Sequence, residues 1–211
     1  MVGKDTKKRI NTQIKDVELV KKKRLQIALG ASKLFIKKGY GQTSMREISR
    51  AAGLTIGNLY DYITKKEDVL YLVFDVFHSI WTNKLEEEGV FEITDPVEQF
   101  DTAIQKMLEL VDEYRDMVLL MYTESKLLPK DFLKVILEKE SRLVTCFEDI
   151  LKHGIKKGVF KVEDPFIVAN IIVYLLSLWP LRGWNLRGRY KVEKVNRSLI
   201  EFIKTCLLRS E

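Results

Sequence analysis

A chain of 211 residues with 46% hydrophobic and 31% charged residues has globular composition, in one large domain or two small ones. Two cysteines, Cys146 and Cys206, and two histidines, His78 and His153, exclude a disulfide framework and a Cys/His zinc centre. The net charge of +6 is uneven: residues 1–70 carry sixteen Lys and Arg against seven Asp and Glu, whereas residues 71–181 carry twelve against twenty. A basic third joined to an acidic body is the footprint of a nucleic-acid-binding segment attached to a body with another task, although a solvated basic tail accounts for the charge equally well. The Lys-rich start has no apolar core of a signal peptide. The longest apolar run, from Phe166 to Leu181, contains Asn170 and Ser177 and falls short of the roughly 20 residues of a membrane span. The expectation is a soluble, cytoplasmic protein without a membrane partner.

Residues 1–17 are polar and aperiodic and are expected to form a basic arm. From Val20, the spacing of Leu25, Ala28, Leu29, Phe35 and Ile36 predicts a helix that stops at Gly39. Thr43 and Ser44 offer an N-cap, and Ser44-Met45-Arg46-Glu47 has the spacing of a capping box for a short second helix ended by Gly53. Thr55 caps a third short helix through Tyr60, and Thr64-Lys65-Lys66-Glu67 reads as a second capping box opening a long helix. Short helix, glycine turn and short helix form the helix-turn-helix pattern, whose second helix enters the DNA major groove. Beyond residue 70 the chain reads as helix throughout. Asp95-Pro96 opens a helix to about Tyr114, and further helices are predicted over Met117–Leu128, Asp131–His153 (ending at Gly154), from Asp164-Pro165 to Trp179, and over Lys191–Leu208. The predicted class is all-α, divided into an arm (1–17), a three-helix DNA-binding domain (18–68) and a helical effector-binding and dimerisation domain (69–211).

The run from Gly39-Tyr40 through Thr43-Ser44-Met45-Arg46-Glu47-Ile48, Ala51-Ala52-Gly53-Leu54-Thr55-Ile56-Gly57-Asn58-Leu59-Tyr60 and on to Lys66-Glu67-Asp68-Val69-Leu70 resembles the TetR family of bacterial transcriptional regulators. The likeness spans about residues 20–72 in spacing and residue type. It implies an N-terminal DNA-binding domain, a C-terminal ligand-binding domain, a homodimer joined through the last two helices, and control by a small effector that releases DNA. The expected DNA contacts are Thr43, Ser44, Thr55, Gly57, Asn58, Tyr60, Tyr62 and Lys66. Thr43 and Ser44 stand at a helix start, where N–H groups and the dipole favour a phosphate. Asn58 carries an amide able to pair two-handed with adenine, Gly57 removes a side chain where DNA must come close, and Lys66 resembles the family's phosphate-binding lysine. Asp61 is uncomfortable beside DNA. The basic arm adds phosphate attraction or enters the minor groove.

In the remaining two-thirds, polar and aromatic residues embedded in apolar stretches are the effector candidates: His78, Trp81, Tyr122, Glu124, Asn170, Trp179 and Arg182. For any one of them, core packing is the competing reading. Trp179 and Trp184 bracket Arg182, which suits an anionic group, and the segment resembles a subset of the family with acyl-thioester effectors, so the effector is expected to be hydrophobic and acyl-CoA-like. The helix from Phe166 to Trp179 is apolar nearly all round and must be covered on both sides. Its own domain covers one side, and a partner chain the other, with Ile200, Ile203, Leu207 and Leu208 of the last helix. A two-fold dimer then meets a pseudo-palindromic double-stranded operator with half-sites about 34–36 Å apart, or a multiple of that. No cofactor motif, metal-ligand spacing or catalytic constellation is evident, so no enzyme is expected. The alternative is an architectural DNA binder that has no effector.

Overall fold

The computed structural model describes residues 10, 12 and 14–208 and forms ten α-helices among them. By its internal contacts the chain divides into two compact units, Met1–His78 with Leu120–Glu138, and Ser79–Leu119 with Lys139–Glu211. The boundary expected at residue 68 and the division at His78 both fall inside α4 (Lys66–Glu87).

In the first unit, α1 (Val17–Lys38) opens where the Asp16 carboxylate accepts the N–H of Leu19 and ends at Gly39, whose φ of 85° suits glycine. The next helix, α2 (Met45–Ala51), starts with the predicted capping box: Ser44 Oγ accepts the Glu47 N–H, and Glu47 accepts the Ser44 N–H at 2.9 Å. Lys38 of α1 binds the same Glu47 carboxylate and ties the two helices together. The short α3 (Ile56–Tyr60) is capped by Thr55, whose hydroxyl accepts the Asn58 N–H. Ahead of α4 the predicted Thr64–Glu67 capping box is not made. Asp68 takes the role instead, its carboxylate accepting the N–H groups of Thr64 and Lys65 at 2.9 Å each. Ile27, Ala28, Phe35, Ile48, Leu59 and Ile63 form the core that holds the short helices to α1 and α4. The unit also takes in residues from the end of α6 (Arg115–Glu124) and the start of α7 (Lys130–Lys156), where Phe132 stacks on Tyr71 at 4.5 Å.

The second unit is centred on α5 (Pro96–Glu113), which starts at the Asp95-Pro96 signal and buries Phe100, Ile104, Met107 and Val111. It packs against α8 (Pro165–Leu176), α9 (Leu178–Leu186) and α10 (Val192–Leu207). Two predicted boundaries move. The single helix expected to Trp179 is two, α8 and α9, which meet at 47° around Ser177. Pro180 lies in the first turn of α9, where its missing N–H costs nothing. The helix expected to stop at Gly154 continues to Lys156, because Gly154 is the seat of Phe160: a Cβ there would lie 2.0 Å from the ring. Among the described residues no single helix is long and apolar enough to cross a membrane.

The apolar face left exposed on α8 is made by Phe166, Ile167, Ile171 and Tyr174, and α10 exposes Phe202. Ile203 and Leu207, expected on that face, are buried within their own unit, while Ile200 is half-buried and Leu208 is 37% exposed.

Candidate nucleic-acid interface

A helix of five residues cannot stand alone, and α3 is held through Leu59, its one fully buried residue. Around that anchor Thr55, Gly57, Asn58 and Tyr60 are all exposed, with Tyr60 showing 52% of its surface. A Cβ at Gly57 would meet nothing of the protein nearer than Thr55 Oγ1 at 4.0 Å. Internal packing therefore does not require a glycine there, whereas close approach of another backbone does. The result is a short helix offering hydroxyl, amide and phenol groups outward from an apolar footing, which is the equipment for reading base edges and phosphates.

The structure redistributes the roles of the other expected contacts. Tyr62 is 5% exposed and packs in the core beside Ile63, so it is not part of the outward face. The chain turns inward after Tyr60, and the two-residue step from Tyr60 to Tyr62 crosses from the surface to the core. Thr43 is likewise buried, its hydroxyl donating to the Gly39 carbonyl at 2.9 Å, so it locks the turn after α1 and is closed to a phosphate. Ser44 is exposed but engaged with Glu47 through both its N–H and its hydroxyl. Glu47 is held well below the usual carboxylate range, at about 2, first by the Lys38 ammonium and then by the N–H and hydroxyl of Ser44.

Lys66 is positioned by the protein rather than left to swing. Its ammonium donates to the Gly41 carbonyl at 3.2 Å and lies 4.5 Å from the centre of the Tyr40 ring. Partial burial lowers its pKa against the opposing pull of Glu67 and Glu47. An ammonium has three N–H donors, so two remain for a phosphate. Tyr40, which the reading of the sequence left without a role, is thus the platform under Lys66. Burial together with the Glu67 and Asp68 carboxylates pushes its phenol up to about 12, so it stays neutral.

The seven effector candidates divide between the units: His78, Tyr122 and Glu124 in the first, Trp81, Asn170, Trp179 and Arg182 in the second. His78, Trp81 and Trp179 are buried, as pocket residues or core residues are. Asn170 and Arg182 lie at the surface. The Asn170 amide donates back to the Phe166 carbonyl on the exposed side of α8, and Arg182 lies over the exposed Trp184 ring at 5.0 Å. Trp179 is 7% exposed and its indole N–H has no acceptor among the described residues. The second unit also has an open cleft of about 470 Å³ lined by Phe91, Ile93, Gln99, Cys146, Asp149 and His153 among others, and by none of the seven candidates. In it the Gln99 carbonyl oxygen accepts from His153 Nδ1 at 2.8 Å, because the Gln99 amide nitrogen is already donating to the Val90 carbonyl. Burial pushes the Cys146 thiol up to about 12, so it stands there as a neutral thiol. No group of three His, Cys, Asp or Glu side chains suited to a metal ion occurs among the described residues.

Two family descriptions match the chain: "Bacterial regulatory proteins, tetR family" over residues 27–71, and "Tetracyclin repressor-like, C-terminal domain" over residues 94–207. The second alone covers more than half of the sequence, and the chain belongs to the TetR family of bacterial transcriptional regulators. The chain is accordingly a DNA-binding transcriptional regulator. Among relatives, the HTH-type transcriptional regulator HbdR of Aromatoleum sp. (strain CIB) is 27% identical over 199 residues, covering 94% of this chain and 83% of its own. AibR in complex with isovaleryl coenzyme A and operator DNA shares the fold with a TM-score of 0.72 at 21% identity, over 85% of this chain and 97% of that one. A tetR-family protein from Rhodococcus RHA1 shares it with a TM-score of 0.77 at 17% identity, over 90% and 98%.

Proposed function

We propose that the protein is a cytoplasmic, non-enzymatic repressor that grips a pseudo-palindromic operator as a homodimer and leaves it when an acyl-thioester effector binds its C-terminal domain. The observation that carries the reading is the outward polar face of α3 on a single buried leucine. Dimerisation is supported by the exposed apolar face of α8 and Phe202, which water would cover at a cost and a second copy would bury. Support for the effector class comes from the AibR complex, whose name carries isovaleryl coenzyme A. The buried, unpartnered indole N–H of Trp179 adds a donor suited to a carbonyl oxygen. Arg187 is exposed with its guanidinium 5.9 Å from the centre of the Trp179 ring, and suits a phosphate of a nucleotide tail. Of the other candidates, Trp81 belongs to the same unit as Trp179 and remains a proposed pocket residue. Release works as a population shift: the effector must bind the form that does not fit the operator more tightly than the form that does.

The test uses an operator selected from a random duplex pool. Asn58→Ala and Tyr60→Ala should each weaken operator binding by about 1–3 kcal/mol, roughly tenfold or more, with circular dichroism and melting temperature unchanged. Undiminished binding by both variants would remove α3 from the interface. A panel of acyl-CoA thioesters should contain a member that raises the melting temperature and weakens operator binding together, with both responses reduced in Trp179→Phe. An effector-free architectural binder would show neither response.

A further inference from the structure

The open cleft of the second unit, about 470 Å³, is built on one face of α7, where Asp149, Ile150 and His153 follow at helical spacing. Phe91 and Glu92 of the short turn Val90–Glu92 and the following Ile93 complete it. Hydrogen bonds to the interior fix the ring of His153. The Gln99 amide nitrogen donates to the Val90 carbonyl at 2.9 Å, which leaves the amide oxygen to His153, so Nδ1 carries the proton of that 2.8 Å bond. In the neutral ring Nε2 is then a hydrogen-bond acceptor, and it has no partner among the described residues. Gln99 is 7% exposed, so this acceptor is held from the core and not by a swinging surface group.

The charges of the cleft point the same way. Two carboxylates, Glu92 and Asp149, face one cation, Lys157, which leaves a balance of −1 with His153 neutral. Neither carboxylate is engaged in an ion pair among the described residues. Lys152, which shares an electrostatic interaction with Asp149, is itself paired with Glu148 at 2.6 Å. Phe91, Ile93 and Ile150 supply apolar walls. Carboxylates and an aromatic face attract a cation, and the same carboxylates repel the phosphates and carboxylates of an acidic ligand.

We propose that this cleft is a ligand site for a small primary amine with an apolar body. The ammonium donates to the Asp149 carboxylate and to His153 Nε2, and the body lies against Phe91, Ile93 and Ile150. The site contains none of the seven effector candidates, and its preference for a cation is opposite to that of the proposed acyl-thioester site, so the two readings stand independently.

The experiment compares three probes of one shape, 2-phenylethylammonium, 2-phenylethanol and 3-phenylpropanoate, by calorimetry on the full chain. At about pH 8 a free imidazole is neutral and an alkylamine still charged. The ammonium should bind with a Kd of about 1 mM or tighter, as suits so small a ligand. The alcohol should bind about tenfold more weakly, and the acid not at all. Asp149→Asn should bring the ammonium down to the level of the alcohol, with the alcohol unchanged. Phe91→Ala, at a position 53% exposed, should weaken both severalfold and keeps the test open should Asp149→Asn fold poorly. Trp179→Phe should bind the ammonium as wild type does. The proposal is overturned by an ammonium that binds no tighter than the alcohol, or by undiminished ammonium binding in Asp149→Asn or Phe91→Ala. Loss of the ammonium in Trp179→Phe also overturns it, because the amine would then occupy the proposed effector site. Failure of the acyl-CoA panel with the amine still bound would sink the effector reading alone.

Discussion

Glu47 joins three tasks at one carboxylate: it completes the capping box of α2, accepts from the Ser44 hydroxyl, and pairs with Lys38 across to α1. Its pKa of about 2 lies below the ordinary 4.5, so the carboxylate stabilises the folded form fully above pH 4.5 and loses that contribution as pH falls toward 2. In Glu47→Gln the drop in melting temperature between about pH 4.5 and pH 2 should be shallower than in wild type, with the two curves converging at the acid end. Parallel curves would mean that the carboxylate gains nothing from Lys38 and Ser44. The capping box was legible in the sequence because its partners are three residues apart, whereas Lys38 was not, since nothing local says which end of α1 faces α2. The same limit explains Tyr62 and Thr43. Both carry hydroxyls at positions next to true surface residues, and only the inward turn of the chain after Tyr60 and after Gly39 decides that they are buried.

Element starts followed the sequence at four local caps: Ser44, Thr55, Asp95-Pro96 and Asp164-Pro165 open helices as expected, while at Thr64 the cap passes to Asp68. Boundaries departed from the sequence where a distant residue decides. Gly154 reads as a stop in isolation but sits inside α7 because Phe160 fills the space above it. Gly30 is the corresponding close approach in the DNA-binding head. It lies mid-helix in α1, and a Cβ there would stand 2.8 Å from the backbone carbon of Ala51 and 2.9 Å from its oxygen. Backbone cannot rotate away as a side chain can, so Gly30→Ala must push α2 off α1. Overpacking of this kind costs about 1–3 kcal/mol, which outweighs the ~1 kcal/mol that alanine gains over glycine in a helix. The expected result is a lower melting temperature and weaker operator binding, because α2 carries the turn that orients α3. A variant as stable as wild type would show that the two helices can part without loss.

For the whole molecule the deciding feature is the outer side of α8. The helix buries Ala169, Ile172, Val173 and Leu176 inward yet exposes Phe166, Ile167, Ile171 and Tyr174, with Phe202 of α10 exposed as well. Scattered apolar residues on a surface need no explanation, but four on one side of a single twelve-residue helix make a patch of the kind that marks an interface. The all-round apolarity of this stretch was legible in the sequence. Which residues of α10 accompany it was not: Ile203 and Leu207 look equivalent to Phe202 in a list of hydrophobics, and only packing against α5 assigns them inward. Replacing Ile171 and Phe202 by Glu places charges where a partner chain would have to bury them unpaired, at several kcal/mol each. The Ile171→Glu, Phe202→Glu protein should sediment as a monomer with unchanged helix content. It should also lose most of its affinity for the full operator, since each recognition helix must then bind its half-site without the other. Binding to an isolated half-site should persist, weakly and equally in both proteins, because α3 is untouched. A variant that still sediments as a dimer would mean that the copies meet through another surface.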